Sequence, residues 1–413
     1  MRKIIASLDI GSHTIKLVVG EMVKNKLNIL ACIDTPARGI KKGYIVNGES
    51  AKEALIDVFK KAQDQLGLPI KKVIVSVPSD NLECFLNEGY AIIDTETQKI
   101  THQDIIKALK SCVYKKVSPS REIVSVLPVK FLVDDSVAST MPVGMTASEL
   151  KVKAVIATVP KKNSEQILKT LESMEIEVID LTIGAIGDYY EYKDNIISDS
   201  VGAVINIGSL KTVVSIFNKG IITASETIDM GGDNIDYDIG YVYKVKRKEA
   251  MYLKEKIAVC DKYMAEPSES LLIDNKDGEK IKINQFDVSE VVIERLEEIL
   301  NLAKKQINLL TKKQISYIIV TGGVSEIAEF KSILESVIPN AIIGKPLEIG
   351  ARDNKYATAV GLIKYYDSRL RLRNRDFSIF SIEEQEELSG IHRKLNFSEN
   401  SILGKLFGYF FDN

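Results

Sequence analysis

The sequence is poor in the residues that usually announce chemistry. Its four cysteines, Cys32, Cys84, Cys112 and Cys260, are scattered, without the spacing of a metal site or a disulfide framework. With no signal peptide ahead of them they read as reduced thiols of a cytosolic protein. The three histidines, His13, His102 and His392, form no ligand pattern, and each reads as a solvated or hydrogen-bonded side chain. No apolar stretch is long enough to span a bilayer. A formal net charge of −2 offers no global electrostatic argument for nucleic acid. What remains is an ordinary globular composition over 413 residues, enough for more than one domain and a sizeable core.

Against that background two distant segments stand out. Ser7–Val19 and Ala203–Ile216 each contain an apolar run, an acid or its amide, a glycine-centred turn and a second β-branched run. A hairpin of this kind can aim backbone N–H groups at a phosphate from its tip. Its duplication implies two similar lobes gripping one nucleotide across a cleft. The copies are unequal, because the carboxylate of Asp9 is answered by the amide of Asn206.

Periodicity organises the rest. Residues 3–10, 15–22 and 27–34 read as a β-meander with turns at Gly11-Ser12 and Lys24-Asn25. A helix follows over 50–66, with Ala51, Ala54, Leu55, Val58, Phe59, Ala62 and Leu66 on one stripe and Gly67 and Pro69 at its end. Val73–Val77 is a short buried strand. Residues 85–160 read as an inserted α+β subdomain, with strands at 85–93, 123–133 and 149–159 and a helix at 102–114. A helix at 163–174 and a strand at 177–180 lead to the second hairpin. Helices at 247–259 and 288–311 imply a mostly helical outlying part, followed by a buried strand from Ser316 into Gly322-Gly323, a helix near Ala328 and a last helix over 354–368. A basic stretch (Arg369, Arg371, Arg373, Arg375) and an acidic one (Glu383, Glu384, Glu386, Glu387) then make 370–400 read as a solvated linker.

The chain ends on Ser401–Asn413, where Ile402, Leu403, Leu406, Phe407, Phe410 and Phe411 fall on one helical face. Such a face docks in a groove of its own fold or lies in a membrane plane, and the long polar tether suits the membrane better. Each large side chain contributes ~1.5–3 kcal/mol when fully buried. Ordering a short helix offsets much of that, so one copy would bind weakly and several together well.

These elements in this order resemble the actin/Hsp70/hexokinase nucleotide-binding fold, and within it the bacterial cell-division family FtsA. The most specific stretch is Leu127–Asp135, then Met141–Met145 and Glu149–Val152, which resembles the SHS2-like subdomain inserted in FtsA. Asp229–Asp238 resembles the family's second-lobe glycine turn and Val320–Val324 its adenosine loop, while Ile343–Pro346 and Tyr356–Leu362 match its closing segment. The resemblance implies an α/β, two-lobed actin-like fold. Its first lobe core is 1–84 plus 161–198 plus 350–369 (1A-like), with the insert at 85–160 (1C-like). The second lobe core is 199–235 plus 313–349 (2A-like), and the outer helical subdomain is 236–312 (2B-like). The flexible linker 370–400 and the membrane-targeting helix 401–413 complete it. Carried over by position, Asp9 would hold the hydration shell of Mg²⁺. Gly11, Ser12, His13 and Lys16 would face the β- and γ-phosphates of ATP, and Gly208 and Ser209 would approach from the other lobe. Gly231, Gly232 and Asp233 would pass close to phosphates or sugar, Lys254 near the base, and Gly322, Gly323 and Val324 against the adenosine.

The departures from the family cluster at the chemistry. Asn206 stands where the family has Asp, and Ser209, Leu210 and Lys211 replace small residues, Lys211 either offsetting phosphate charge or pointing to solvent. The family's glutamate falls at or near Gly187, beside Asp188, and Met251 takes the place of a ribose-contacting glutamate. Asp9, Asn206 and Asp188 are therefore the catalytic candidates. A lost hydrogen bond to a charged group costs ~1.5–3 kcal/mol, so weak nucleotide binding and little or no hydrolysis are expected. The implied role is a scaffold at the division site, on the cytoplasmic side of the membrane, which self-associates and binds the C-terminal tail of FtsZ. The alternatives are a PilM-like assembly adaptor and a phosphotransferase of the sugar-kinase type, for which no acceptor-facing carboxylate is evident.

Overall fold

The computed structural model describes residues 2–114 and 116–394. β1 (Lys3–Ile10), β2 (Thr14–Val23) and β3 (Lys26–Pro36) run as an antiparallel meander. Lys24 and Asn25 turn the chain between β2 and β3 with positive φ at both, as a two-residue hairpin on right-twisted strands requires. A small hairpin, β4 (Ile40–Lys41) and β5 (Tyr44–Ile45), leads to α1 (Gly48–Leu66). Asn47 caps α1 by accepting from Ser50 N, Gly67 closes it in the left-handed region, and the apolar stripe read from the sequence is its buried face. β6 (Lys72–Val77) then pairs parallel with β1.

The chain leaves this lobe for a separate four-stranded sheet. β7 (Glu83–Ile92), α2 (His102–Val113), β8 (Arg121–Val133), β9 (Val137–Ser139) and β10 (Glu149–Pro160) give the order β7-β10-β8-β9. α2 covers one face and encloses a core of its own around Phe131, Leu150, Val152 and Ile156. The chain returns through α3 (Glu165–Glu172), β11 (Glu177–Ile183), α4 (Gly184–Tyr192) and α5 (Asn195–Ser198). β11 completes the first sheet in the order β11-β6-β1-β2-β3.

The second lobe repeats that plan. β12 (Val201–Ile207), β13 (Thr212–Asn218) and β14 (Ile221–Ile228) form a meander, followed by α6 (Gly232–Val242) and α7 (Arg247–Lys256). After β15 (Ser270–Asp274), β16 (Lys280–Asn284) and α8 (Gln285–Leu310), β17 (Tyr317–Thr321) pairs parallel with β12. α9 (Phe330–Val337) and β18 (Ala341–Ile343) close the sheet as β14-β13-β12-β17-β18. In both sheets a meander is extended by parallel strands on the side of its first strand. The carboxyl ends of β1, β6, β12 and β17 therefore meet at the same region, the usual place for a ligand in such sheets.

The outer part of the second lobe carries one small hairpin beside its helices. β15 and β16 pair antiparallel, burying Ile273 and Ile283 around a turn in which Gly278 has φ +83°. One expectation needs correction: the segment 370–394 is no linker. α10 (Ala357–Leu372) runs to Leu372, and α11 (Ile382–Lys394) follows. Between them Ile379 and Phe380 are buried, Phe377 meets Tyr366 edge-on, and Ile379 N donates to Ile4 O at 2.9 Å. The charge runs concealed this apolar cluster. Arg369 pairs with Asp180 at 2.7 Å and Arg371 with Asp367, while the glutamates open a helix whose N-terminal dipole favours them. The expected membrane-targeting residues 401–413 lie outside the described residues.

Candidate functional site

The strand registers fix the site. Asp9 pairs with Lys16 on β2, and Lys16 pairs with Asp34 on β3. Same-row residues in a sheet share a face, so a row of alternating charge crosses the end of the first sheet. Lys16 Nζ lies 3.3 Å from Asp9 Oδ2, and Ser76 Oγ on β6 donates to Asp9 Oδ1 at 2.8 Å. In the second sheet the matching row is Val213 opposite Asn206 and Thr227 opposite Val213, with no charge. The turns above these rows close alike. Gly11 N donates to Thr14 O at 3.1 Å, and Gly208 N to Lys211 O at 3.0 Å.

Between the turns lies a cavity of about 530 Å³. Asp9, Gly11, Ser12, His13, Lys16, Gly208, Ser209, Gly232, Lys254, Gly322, Gly323 and Val324 all line it, as do Asn206 and Asp188. Gly231 and Asp233 do not. Gly231 packs beneath the second turn, where a Cβ would stand 2.4 Å from Gly208 O, and Asp233 pairs with Arg247 on α7. Gly232 N donates to Gly208 O at 2.9 Å, which seats the start of α6 against the second turn. Gly322 has φ +96°, and a Cβ there would meet Ile207 O at 2.5 Å, so only glycine suits this turn.

Asp188 and Asn206 are linked across the two lobes. Asn206 Nδ2 donates to Asp188 Oδ2 at 2.8 Å, and Thr358 Oγ1 donates to Asp188 Oδ1 at 2.6 Å. Burial pushes the Asp188 carboxyl up to about 7, against the lowering effect of those two donors. Gly187 faces α10 instead, with Thr358 O 2.5 Å from where its Cβ would be, so Asp188 is the carboxylate of this segment that lines the cleft. Behind this link Tyr192 Oη lies 2.7 Å from Thr321 Oγ1 and donates to Asn354 Oδ1 at 2.7 Å, a second tie between lobes.

Lys254 is buried and pairs with Asp236 at 2.6 Å, and its Nζ donates to Gly232 O at 3.3 Å. Burial raises the Asp236 carboxyl, which Lys254 opposes. Lys211 does not point to solvent. It lines the cavity and approaches Asp80 Oδ2 of the first lobe at 3.6 Å. Leu210 is half-buried and outside the lining. Sequence reasoning missed Asp34, Ser76, Asp236, Lys355 and Thr358, which also line the cavity. Asp34 was reachable by counting register from Lys16, and Asp236 and Thr358 lie inside the matched segments 229–238 and 356–362, whereas Ser76 and Lys355 arrive from distant segments and left no local signal.

The residues suit a nucleotide. The two turns offer backbone N–H groups and glycines leave room for phosphate and sugar, while the first N–H groups of α6 are taken up by the second turn. No cluster of three or more metal-ligating side chains exists among the described residues. Asp9 supplies one carboxylate, enough for a cation that keeps most of its waters and takes its other ligands from phosphate.

Residues 203–361 match the family described as Cell division protein FtsA, and residues 80–158 match the SHS2 domain inserted in FTSA. The Cell division protein FtsA of Bacillus subtilis is 28% identical over 386 residues, covering 92% of this chain and 87% of the relative. Among solved structures, MreB5 of Spiroplasma citri bound to ADP superposes with a TM-score of 0.55 at 15% identity, covering 90% of this chain and 99% of that one. The PilM-PilN type IV pilus biogenesis complex gives 0.54 at 15%, covering 87% and 97%. At such identities these two structures speak for the fold alone. The chain is a divergent member of the bacterial cell-division FtsA family, with an actin-like ATPase fold that carries an inserted SHS2 domain.

Proposed function

We propose that this FtsA-type protein is a scaffold that binds ATP with Mg²⁺ in the cleft, hydrolyses it slowly or not at all, and self-associates at the division site. The observation that carries this reading is the facing of two identically closed glycine turns across one cavity. A triphosphate between them would meet N–H dipoles and the ammonium groups of Lys16 and Lys211 from opposite sides. The Asn206–Asp188 hydrogen bond supports weak hydrolysis. It occupies both groups that could hold a metal-bound water or orient the attacking one.

The segment 401–413 would attach the assembly to the cytoplasmic face of the membrane by burying its six large apolar side chains in the interface. Several copies on one assembly would hold far better than one. The outer part of the second lobe exposes Tyr237, Tyr241 and Tyr252, aromatic surface suited to a peptide such as the C-terminal tail of FtsZ. The test pairs nucleotide titration of the full chain with liposome co-sedimentation. Saturable ATP binding, phosphate release at the level of a protein-free blank, and pelleting that is lost when the chain stops at residue 400 are expected. Turnover at the rate of an active ATPase defeats the hydrolysis part, and pelleting of the shortened chain defeats the tether.

A further inference from the structure

Among the described residues four lysines line the cleft, and their holds differ. Lys254 is fixed by Asp236 at 2.6 Å and by Gly232 O. Lys16 lies 3.3 Å from Asp9 and Lys355 3.3 Å from Asp34. Lys211 has the loosest hold, 3.6 Å from Asp80, beyond hydrogen-bond range. Asp80 does not depend on it, because Tyr44 Oη donates to the same carboxylate at 3.0 Å. The Lys211 side chain is 17% exposed, and burial lowers its pKa against the opposing pull of Asp80 and Asp9. It projects from the second turn, opposite Lys16, at the position that Thr14 holds in the first. Beside it Asn206 brings no negative charge. The second lobe thus offers an added cation where a carboxylate would otherwise recruit a divalent metal.

We propose that Lys211 leaves Asp80 for the terminal phosphate of a bound nucleoside triphosphate, so that discrimination between triphosphate and diphosphate rests on this lysine more than on a divalent cation. The inference rests on the nucleotide reading above. Turn one and Lys16 hold the phosphate that ATP and ADP share. Lys211 answers the charge that only ATP carries, as an ammonium–phosphate contact.

The test is calorimetric titration of ATP and ADP into the full chain, each with Mg²⁺ or with EDTA. In the wild type, replacing Mg²⁺ by EDTA weakens ATP less than about threefold; Lys211→Met weakens ATP by about tenfold or more and ADP by less than about threefold. Lys211→Arg recovers part of the loss. Asp80→Asn frees the lysine from the other side, and tightens ATP by about threefold without moving ADP. Equal losses of ATP and ADP in Lys211→Met, or wild-type ATP affinity in that variant, overturn the proposal while leaving the nucleotide reading intact. Wild-type protein that binds neither nucleotide at millimolar concentration overturns both.

Discussion

The two hairpins share a register and differ in charge. Asp9, Lys16 and Asp34 put a carboxylate–ammonium–carboxylate row across the first sheet, while Asn206, Val213 and Thr227 put none across the second. The first lobe therefore presents a carboxylate and an ammonium to the cleft at this row. The second holds its matching residue in a tie, because Asn206 donates directly to Asp188 of the other lobe. A shared backbone plan fixes where side chains stand, and single substitutions within it decide whether a position binds a ligand or binds the other lobe.

Restoring the acid is the sharpest way to break this comparison. In Asn206→Asp the donor at 2.8 Å is lost, and two carboxylates face each other in a buried site. The wild-type background already has a sign. The Asp188 carboxyl is raised to about 7, so between its ordinary value and 7 the native state holds a proton that the unfolded chain releases. That contribution to stability is complete at low pH, is lost as pH rises toward 7, and is flat above. A second carboxylate pushes the pair higher still and extends the loss above neutrality. Denaturant unfolding should place the variant about 4 kcal/mol below wild type near pH 8, and much closer near pH 5. An equal deficit at both values would mean that the Asn206–Asp188 link is not what the acid disrupts.

The contrast between the lobes bears on what the sequence disclosed. Both hairpins, the insert and the ordered glycine turns were legible because they rest on alternation, turn residues and spacing within short windows. The mistake at 370–394 has a local cause too. Charge runs dominate that stretch, and only tertiary context shows that Arg369 and Arg371 are neutralised by Asp180 and Asp367 while Ile379 and Phe380 reach the core. In the site, Gly11, Ser12, His13, Gly208 and Ser209 of the two hairpin turns were identifiable and line the cavity. Gly231 and Asp233 were not separable from Gly232, because the direction of a side chain at a helix start depends on what the helix docks against. Thr358 and Tyr192, which complete the ties between lobes, are ordinary helix residues by sequence.

The turns themselves give the next test. A Cβ on Gly11 would meet Thr14 O at 2.7 Å and Lys16 Nζ at 2.8 Å, whereas one on Gly208 would meet only Lys211 O, at 3.1 Å. The first turn is the tighter cradle, with the Lys16 ammonium close over it. Gly11→Ala should cost about 2 kcal/mol in chemical unfolding and Gly208→Ala under about 1 kcal/mol. The reverse order would show that the second turn, despite its larger side chains, is the more constrained of the two.

The smallest effect belongs to the tie at the surface. Lys42 of the first lobe pairs with Asp229 of the second at 2.7 Å, but both side chains are open to water, 40% and 71% exposed. Such pairs gain little, since solvent screens the charges and ordering two side chains offsets the attraction. The ties at the back of the cleft are of another kind. Asn206–Asp188 and Tyr192–Thr321 are short hydrogen bonds between part-buried groups, where an unmade bond is expensive. Lys42→Ala should therefore shift unfolding by less than about 0.5 kcal/mol, and the shift should vanish in high salt. A loss above about 1.5 kcal/mol would relocate the hold between the lobes to the mouth of the cleft. The asymmetry at Asn206 would then be a change in the ligand site alone, with no part in joining the lobes.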